Sequence, residues 1–415
     1  MVEAPLHSSV AEFQQLLLQM RQGDDLSKRM TSVQLLLSER QLAETATLSE
    51  SGVSPETPLL AVFSTKYIEC VRSADTPQDL RDVEKLLVLH VPDGTLQVPA
   101  MAFIGCTSIQ GISIPHSVTH IGDSAFEDCS SLSSVRLPTT VTSIGEAAFQ
   151  CCRSLSSVAL PSSLTYIGGT AFSGCVSLSS VTIPSSVSFI GEAAFGGCNA
   201  LASVTLPNSI STISPEAFYQ CYSLSSLAIP GSVSSIGNDA FASCRSLSSL
   251  TIPSAVSDIG ARAFEHCSAL GAVSLHRSLR DLGDAAFRCC SSLESVSLHA
   301  SITSIRDSTF AHCSSLASVA IPSTVREICE KAFSGCSSLA TLSIPESVTY
   351  IGPYAFENCS SLTRLSIPSS LLDLDYGAFQ GCSALEELVL SSEIEDLHFL
   401  ALPQGCHVSF REAKA

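Results

Sequence analysis

Cysteine is the residue type in this sequence with the widest capacity for chemistry. The 415-residue chain contains 18 cysteines, and thiolates serve as nucleophiles, redox centres and metal ligands. Thirteen of them recur at a constant step of 23 residues: Cys106, Cys129, Cys152, Cys175, Cys198, Cys221, Cys244, Cys267, Cys290, Cys313, Cys336, Cys359 and Cys382. Because equivalent side chains of a stacked repeat point the same way, and C-x-x-C pairs are absent, this step predicts a column of buried, reduced thiols. Metal or redox chemistry is the alternative.

The other residues that could carry chemistry do not form a recognisable site. Five cysteines lie outside the column and are the better candidates for a reactive thiol: Cys70, Cys151, Cys289, Cys329 and Cys406. The sequence contains no G-x-S-x-G, H-E-x-x-H or P-loop motif. His266 and His312 each precede a column cysteine, where we expect a solvated corner. The sequence therefore predicts no enzyme, no catalytic residue, no metal site and no cofactor.

The 23-residue repeat also predicts the elements that position these side chains. The unit that begins at Cys129 reads CSSLSSVRLPTTVTSIGEAAFQC. Val135 and Leu137 alternate as in a short strand, which the following proline ends because it has no N–H to donate. Val141 and Ile144 turn inward again, and Gly145 relaxes the backbone at a corner. Phe149 lies on a short helical or 3₁₀ turn and fills the centre of the coil.

Stacking of such units predicts a repeat solenoid over residues 86–410, with about fourteen coils including caps. At a strand spacing of about 4.8 Å the coils form a rod of roughly 65 Å with one long parallel sheet along one face. The first coil, from Leu86, is atypical, with Thr95 where later coils have valine or another aliphatic residue. Residues 402–410 cover the last coil, and residues 411–415 form a tail.

The unit resembles the BspA-like leucine-rich repeat, whose pattern is close to C-x-x-L-x-x-V-x-I-P-x-x-V-x-x-I-G-x-x-A-F-x-x. The resemblance covers about three quarters of the chain. It implies a right-handed leucine-rich-repeat solenoid and a role in protein binding or adhesion, and many members of the family are exposed on cell surfaces.

The first 65 residues lie outside the repeat and predict a small α+β module. Apolar residues recur at helical spacing from Ser9 to Gln22, and Gln34–Leu37, Gln41–Leu42 and Leu59–Phe63 are predicted strands. The stretch from Val33 to Phe63 is similar to the second half of ubiquitin, without the opening hairpin and without a terminal Gly-Gly. The resemblance implies a ubiquitin-like module that cannot be conjugated. A helical cap with a hairpin is the alternative, and residues 66–85 are a predicted linker.

Charge and hydropathy exclude several classes of partner. The net charge is −18, which argues against a nucleic-acid-binding protein and against a polybasic membrane binder. The mean hydropathy is +0.33, yet no apolar run approaches the ~18 residues of a membrane span. The first residues lack the features of a secretory signal, which predicts a cytoplasmic protein. Surface display would require a signal upstream of the given sequence.

Two groups of residues are candidate contacts for a protein partner. Tyr166 and Phe189 occupy the same outward slot of consecutive repeats, so we expect an exposed aromatic pair. A basic patch is predicted from Arg262, Arg277, Arg280 and Arg288, with His266 and His276. The alternative for these arginines is a solvated face paired with Asp281 and Asp284. The outward positions of the first strand are mostly serine and threonine, as in a solubilising face or a flat contact surface.

These features predict a non-enzymatic interaction scaffold that binds a partner protein along its repeat surface, with a ubiquitin-like module that docks to ubiquitin-recognition machinery. The alternative is a surface-associated adhesion protein of the BspA type.

Overall fold

The computed structural model describes residues 87–91, 93–107, 109–298, 301–391 and 400–411, together with the backbone of three earlier strands, β1 (Val33–Leu37), β2 (Arg40–Gln41) and β3 (Leu59–Phe63). The chain forms a parallel β-solenoid of about 13 turns and divides into two compact units, Met1–Leu201 and Ala202–Ala415. The predicted N-terminal helix, the linker at 66–85 and Cys70 lie outside the described residues.

Each coil contains two short strands, called here the first and the second strand. The first strands of unit 1 are β4 (Leu87–His90), β6 (Gly111–Ser113), β8 (Ser134–Arg136), β10 (Ser157–Ala159) and β12 (Ser180–Thr182). Its second strands are β5 (Gln97–Val98), β7 (His120–Ile121), β9 (Ser143–Ile144), β11 (Tyr166–Ile167) and β13 (Phe189–Ile190).

Unit 2 repeats the same alternation and ends in a capping strand. Its first strands are β14 (Ser203–Thr205), β16 (Ser226–Ala228), β18 (Ser249–Thr251), β20 (Ala272–Leu275), β22 (Ser295–Leu298), β24 (Ser318–Ala320), β26 (Thr341–Ser343), β28 (Arg364–Ser366) and β30 (Glu387–Ser391). Its second strands are β15 (Thr212–Ile213), β17 (Ser235–Ile236), β19 (Asp258–Ile259), β21 (Asp281–Leu282), β23 (Ser304–Ile305), β25 (Glu327–Ile328), β27 (Tyr350–Ile351) and β29 (Asp373–Leu374). β31 (His407–Arg411) pairs in parallel with β30.

Strand pairing follows the 23-residue step, as the sequence predicts. Val135 lies opposite Ile112 in the first strands, and Ile144 lies opposite Ile121 in the second strands. The prediction of one long sheet is wrong, because both strand columns form parallel sheets and each column is interrupted. Most strands have only two or three residues, so a small change between neighbouring coils is enough to remove their few ladder hydrogen bonds.

The three N-terminal strands extend the sheet of first strands. β1 pairs in antiparallel fashion with both β2 and β3, and β3 pairs in parallel with β4. These strands lie where the sequence predicts them. Their continuity with the solenoid sheet favours the alternative of a hairpin that caps the array. The rest of the ubiquitin-like module falls outside the described residues, and that module stays a prediction.

The segment between the second strand and the column cysteine is a run of turns, not the predicted helical or 3₁₀ turn. Two residues in each coil have positive φ, and the non-glycine residues among them have φ values of 49° to 64°, a region that costs an L-residue roughly 1–2 kcal/mol. In one coil these are Ala147 and Cys151, whose N–H groups donate to the next coil at Gly169 (2.8 Å) and Ser173 (2.7 Å). Hydrogen bonding between coils therefore fixes this backbone.

The corner glycines follow a different rule from the predicted one. The structure gives Gly145 no positive φ, but a Cβ there would lie 2.7 Å from the backbone nitrogen of Asp123. A Cβ on Gly260 would lie 2.5 Å from the backbone nitrogen of Asn238. The corner slot therefore favours glycine because neighbouring coils approach closely.

This close approach gives a stability prediction. Gly260→Ala is expected to lower the free energy of unfolding by about 1–3 kcal/mol, because the added methyl group forces two backbones apart. A Cβ on Gly231 would meet nothing within 4 Å, so Gly231→Ala is the matched control and should leave stability nearly unchanged. Urea denaturation of the two variants measures the difference, and equal midpoints would contradict the explanation.

Candidate binding surfaces

The cysteine column is buried in a regular hydrogen-bonded arrangement. The Sγ of Cys129 donates to the carbonyl oxygen of Phe103 in the preceding coil at 3.1 Å, and the Sγ of Cys382 donates likewise to Phe356 at 3.0 Å. Loss of hydration on burial raises the pKa of the Cys129 and Cys267 thiols to about 12. These thiols therefore stay protonated and do not act as nucleophiles near neutral pH.

The first residue of the column departs from the prediction. Twelve column cysteines are free, from Cys129 to Cys382, but Cys106 is disulfide-bonded. The prediction of a wholly reduced column is therefore wrong at Cys106. Among the described residues, no group of three or more His, Cys, Asp or Glu side chains is placed to hold a metal ion.

The cysteines outside the column are more accessible but are not activated. Those that the structure describes are free and half-buried: Cys151, Cys289, Cys329 and Cys406. Loss of hydration raises the pKa of each, and that of Cys329 reaches about 11. At Cys289 the neighbouring guanidinium of Arg288 lowers the pKa, but not enough to offset burial. A raised pKa reduces the thiolate fraction, so the prediction of reactive thiols finds no support at these four positions.

The outward positions of the first strands hold mostly small residues, such as Ser157 and Ala159 of β10. The serines of this face also bond along the array: the hydroxyl of Ser156 donates to the carbonyl oxygen of Ser133 at 3.2 Å, and that of Ser179 donates to Ser156 at 3.4 Å. The hydroxyl protons of these serines are therefore used within the protein. This arrangement favours the solubilising face of small polar residues.

The second strands carry the exposed aromatic pair at the predicted positions. Tyr166 and Phe189 are directly paired residues of β11 and β13, and their rings stack with centroids 5.2 Å apart and planes 10° from parallel. Their exposed fractions are 43% and 44%. Exposed aromatic rings on a rigid backbone are typical anchors of protein interfaces because little conformational entropy is lost when they bind.

The four predicted arginines do not form one free basic patch. Arg262 makes a bidentate ion pair with Asp239, at 2.8 and 2.9 Å, and Arg288 pairs with Glu265 at 2.9 Å. The paired alternative therefore describes these two residues, but with Asp239 and Glu265 in place of Asp281 and Asp284.

The other members of the predicted patch lie in different segments of the coil. Arg277 is in the turn after β20 and Arg280 directly precedes β21, whereas Arg262 and Arg288 lie in the turns after second strands. Asp281 pairs with Arg306 at 2.8 Å. His266 and His312 are exposed, as predicted for a solvated corner.

Sequence reasoning did not find a shallow groove in unit 2. The groove has a volume of about 320 Å³ and lies along the second strands from β15 to β21. Gly237 and Gly260 form part of its wall, and Asp258 and Asp281 line it. The one signal for this groove in the sequence is the run of glycines at the corners of consecutive coils, next to two aspartates that occupy the same outward position of their repeats.

The repeat geometry agrees with a sequence family. The profile of the BspA type leucine rich repeat region matches residues 82–202, 190–317 and 303–407. The chain belongs to the BspA-type leucine-rich repeat family. Leucine-rich repeat proteins of this kind bind protein partners and are typically not enzymes. No protein with a curated description matches the chain.

Solved leucine-rich repeat structures resemble this BspA-type chain over most of its length. A leucine-rich repeat protein from Bacteroides ovatus is 29% identical with a TM-score of 0.68, and the match covers 86% of this chain and 96% of that protein. A leucine rich cell surface protein from Faecalibacterium prausnitzii is 25% identical with a TM-score of 0.45, covering 80% and 90%. A leucine-rich repeat protein from Eubacterium ventriosum is 21% identical with a TM-score of 0.50, covering 78% and 90%. The Bacteroides structure has the same solenoid fold.

BspA-type proteins are often surface-associated, so family membership leaves the predicted cytoplasmic location open. Within the described part of the chain, no helix has the length and apolar character that a membrane crossing requires.

Proposed function

We propose that this chain is a non-enzymatic scaffold that binds a partner protein through the second strands of unit 1. The observation that carries the proposal is the stacked pair of Tyr166 and Phe189, whose rings are each more than two-fifths exposed. Neighbouring outward positions hold small or polar residues such as Ser143 and His120. The rings are therefore the apolar feature of this row, and burying both against a partner removes apolar area from water.

The arginines contribute less to this proposal. Arg262 and Arg288 are compensated by carboxylates within their own unit, so they add specificity at the edge of an interface rather than attraction over a distance. Arg277 and Arg280 make no ion pair with any described residue and are the remaining candidates for contact with an acidic group.

Affinity capture with the full chain tests the scaffold function. We expect a protein from native extract to be retained by the wild-type chain and to be depleted about tenfold, or about 1.4 kcal/mol, on a Tyr166→Ser, Phe189→Ser double variant. Tyr376, which is 53% exposed in unit 2, provides the matched control Tyr376→Ser, which should retain the partner. Equal retention by the double variant would overturn the proposed surface.

Adhesion at a cell surface is the second candidate function. Membership of the BspA type supports it, since proteins of this type are often surface-associated. Antibody staining of intact, non-permeabilised cells of the source organism tests it. Staining that depends on the gene for this chain would favour adhesion over the cytoplasmic scaffold, and staining seen only after permeabilisation would exclude it.

A link to ubiquitin-recognition machinery rests on the sequence of residues 1–65 alone. The family match begins at residue 82 and gives no support to that link, so it stays a prediction. Capture by the full chain of proteins that bind ubiquitin, lost when residues 1–65 are removed, is its test.

A further inference from the structure

We propose that unit 1 holds an arginine side chain of the partner protein in a slot between His120 and Tyr166, above Ser143. The inference rests on the proposed function and specifies the group that the second-strand surface recognises. It follows from a gap in a row of rings, from the hydroxyl of Ser143 in that gap and from the charge around the slot.

The slot is a vacancy of one residue in a row of ring-bearing side chains. Four directly paired positions of consecutive coils hold, in order, His120, Ser143, Tyr166 and Phe189. Where both neighbours carry rings, at Tyr166 and Phe189, the rings stack at 5.2 Å. Ser143 leaves that space open, because His120 and Tyr166 lie two strand spacings apart, about 10 Å. One planar group fits between them at the spacing that the existing pair already shows.

The ring of His120 contacts a neighbouring hydroxyl, and Ser143 provides a hydrogen-bond acceptor at the slot. The hydroxyl of Thr119 donates to the carbonyl oxygen of Leu96 at 3.1 Å, and its oxygen lies 2.6 Å from Nδ1 of His120. This contact holds the imidazole of His120 against the side chain of Thr119. The hydroxyl of Ser143 makes no hydrogen bond to any described residue and provides an acceptor.

The charge of the surroundings selects a cation. Residues 93–201 contain six carboxylates but only two arginines, Arg136 and Arg153. Neither arginine lies in a second strand or in the corner that follows it. Exposed Asp123 and Glu146 each follow a slot residue by three positions. Their carboxylates therefore lie within about one Debye length of the slot. A phosphate-bearing ligand is therefore disfavoured.

A guanidinium satisfies all three features of the slot. It is planar, it stacks on aromatic faces, and it donates several N–H groups in a fixed geometry. A lysine ammonium is positive but not planar, so it does not match the shape of the slot. A neutral sugar ring can stack on the aromatic rings, but it gains no attraction from the nearby carboxylates. Arginine is therefore the partner side chain whose chemistry matches the slot best.

Ligand-observed NMR titration of the full chain with a glycine-rich peptide bearing one arginine tests the proposal. Peptides with lysine or citrulline in its place are the matched probes, since citrulline keeps the planar shape and removes the charge. Ser143→Tyr fills the slot with a ring of the kind that Tyr166 and Tyr350 already place at this strand position. Ser235→Tyr makes the same change in unit 2 and is the control, and Tyr166→Ser removes the stacking surface.

We expect the arginine peptide to bind about tenfold more tightly than the citrulline peptide, or about 1.4 kcal/mol. We expect it also to lose about tenfold in affinity with Ser143→Tyr and with Tyr166→Ser, but not with Ser235→Tyr. Equal binding of the arginine and citrulline peptides, or unchanged binding to Ser143→Tyr, would overturn the slot. The slot would be a sugar site instead if Ser143→Tyr blocked the binding of a neutral glucose oligosaccharide and the arginine peptide bound no more tightly than the citrulline peptide. Partner capture that survives Ser143→Tyr but not the Tyr166→Ser, Phe189→Ser change would overturn the slot and leave the scaffold function standing.

Discussion

Above about pH 9, the free energy of unfolding of the full chain is expected to fall steeply. An ordinary thiol has a pKa of 9.0, and burial raises the pKa of Cys129, Cys267 and Cys313 to about 12. Between these values the unfolded chain has lost thiol protons that the folded chain keeps. The unfolded state then binds fewer protons, so stability is full below pH 9 and is lost as the pH rises toward 12, by about 1.4 kcal/mol per thiol and pH unit.

A variant of the column separates this effect from the titration of lysine and tyrosine. Replacing Cys267, Cys290 and Cys313 by alanine is expected to reduce the loss of unfolding free energy above pH 9 by about 4 kcal/mol per pH unit. The same variant is less stable than the wild-type chain at pH 7. Urea denaturation between pH 8 and pH 10.5 measures both slopes. A midpoint that does not change with pH in the wild-type chain would contradict the burial of protonated thiols.

Phe264→Ala is expected to destabilise its own and the neighbouring coils by about 3–5 kcal/mol. The ring of Phe264 is fully buried and stacks on Phe241 at 5.4 Å and on Phe287 at 5.3 Å. Its removal leaves a cavity that the backbone cannot close, because hydrogen bonds between coils hold both sides. In a repeat protein the loss acts mainly on nearest neighbours.

Native-state hydrogen exchange measures this loss coil by coil. Peptides that span Phe241 to Cys290 should lose protection in Phe264→Ala, whereas those around Phe126 should not. Ser226→Ala, at an exposed position of β16, is the control and is expected to change stability by less than about 0.5 kcal/mol. Unchanged protection around Phe264 would show that the ring column does not stabilise the array.

The sequence predicts the interior of this protein because one rule repeats. Each inward position, such as Leu132, Val135 and Phe149, is set by the 23-residue step, and all three are buried. The same step predicts that Tyr166 and Phe189 are neighbours, and their rings are stacked. A periodic signal therefore fixes which residues share a column, inside or outside the coil.

The turns and the ion pairs are harder to predict because their causes lie between coils. The positive-φ positions hold residues as different as Ala147, Arg262 and Tyr354, so no residue type signals them. The ion pairs of Arg262 and Arg288 are formed with carboxylates 23 residues earlier, at Asp239 and Glu265. A search for opposite charges one repeat apart would have found these two pairs, whereas local clustering suggested a patch.

Thiol labelling of the native chain tests the central claim most directly: the repeat stacks its cysteines into a dry column and leaves the outer faces free to bind. Brief treatment with iodoacetamide at neutral pH, followed by peptide mass spectrometry, is expected to modify half-buried Cys151, Cys289 and Cys406 first. The column from Cys129 to Cys382 should be modified only in urea. Equal labelling of Cys267 and Cys289 in the native chain would contradict the claim.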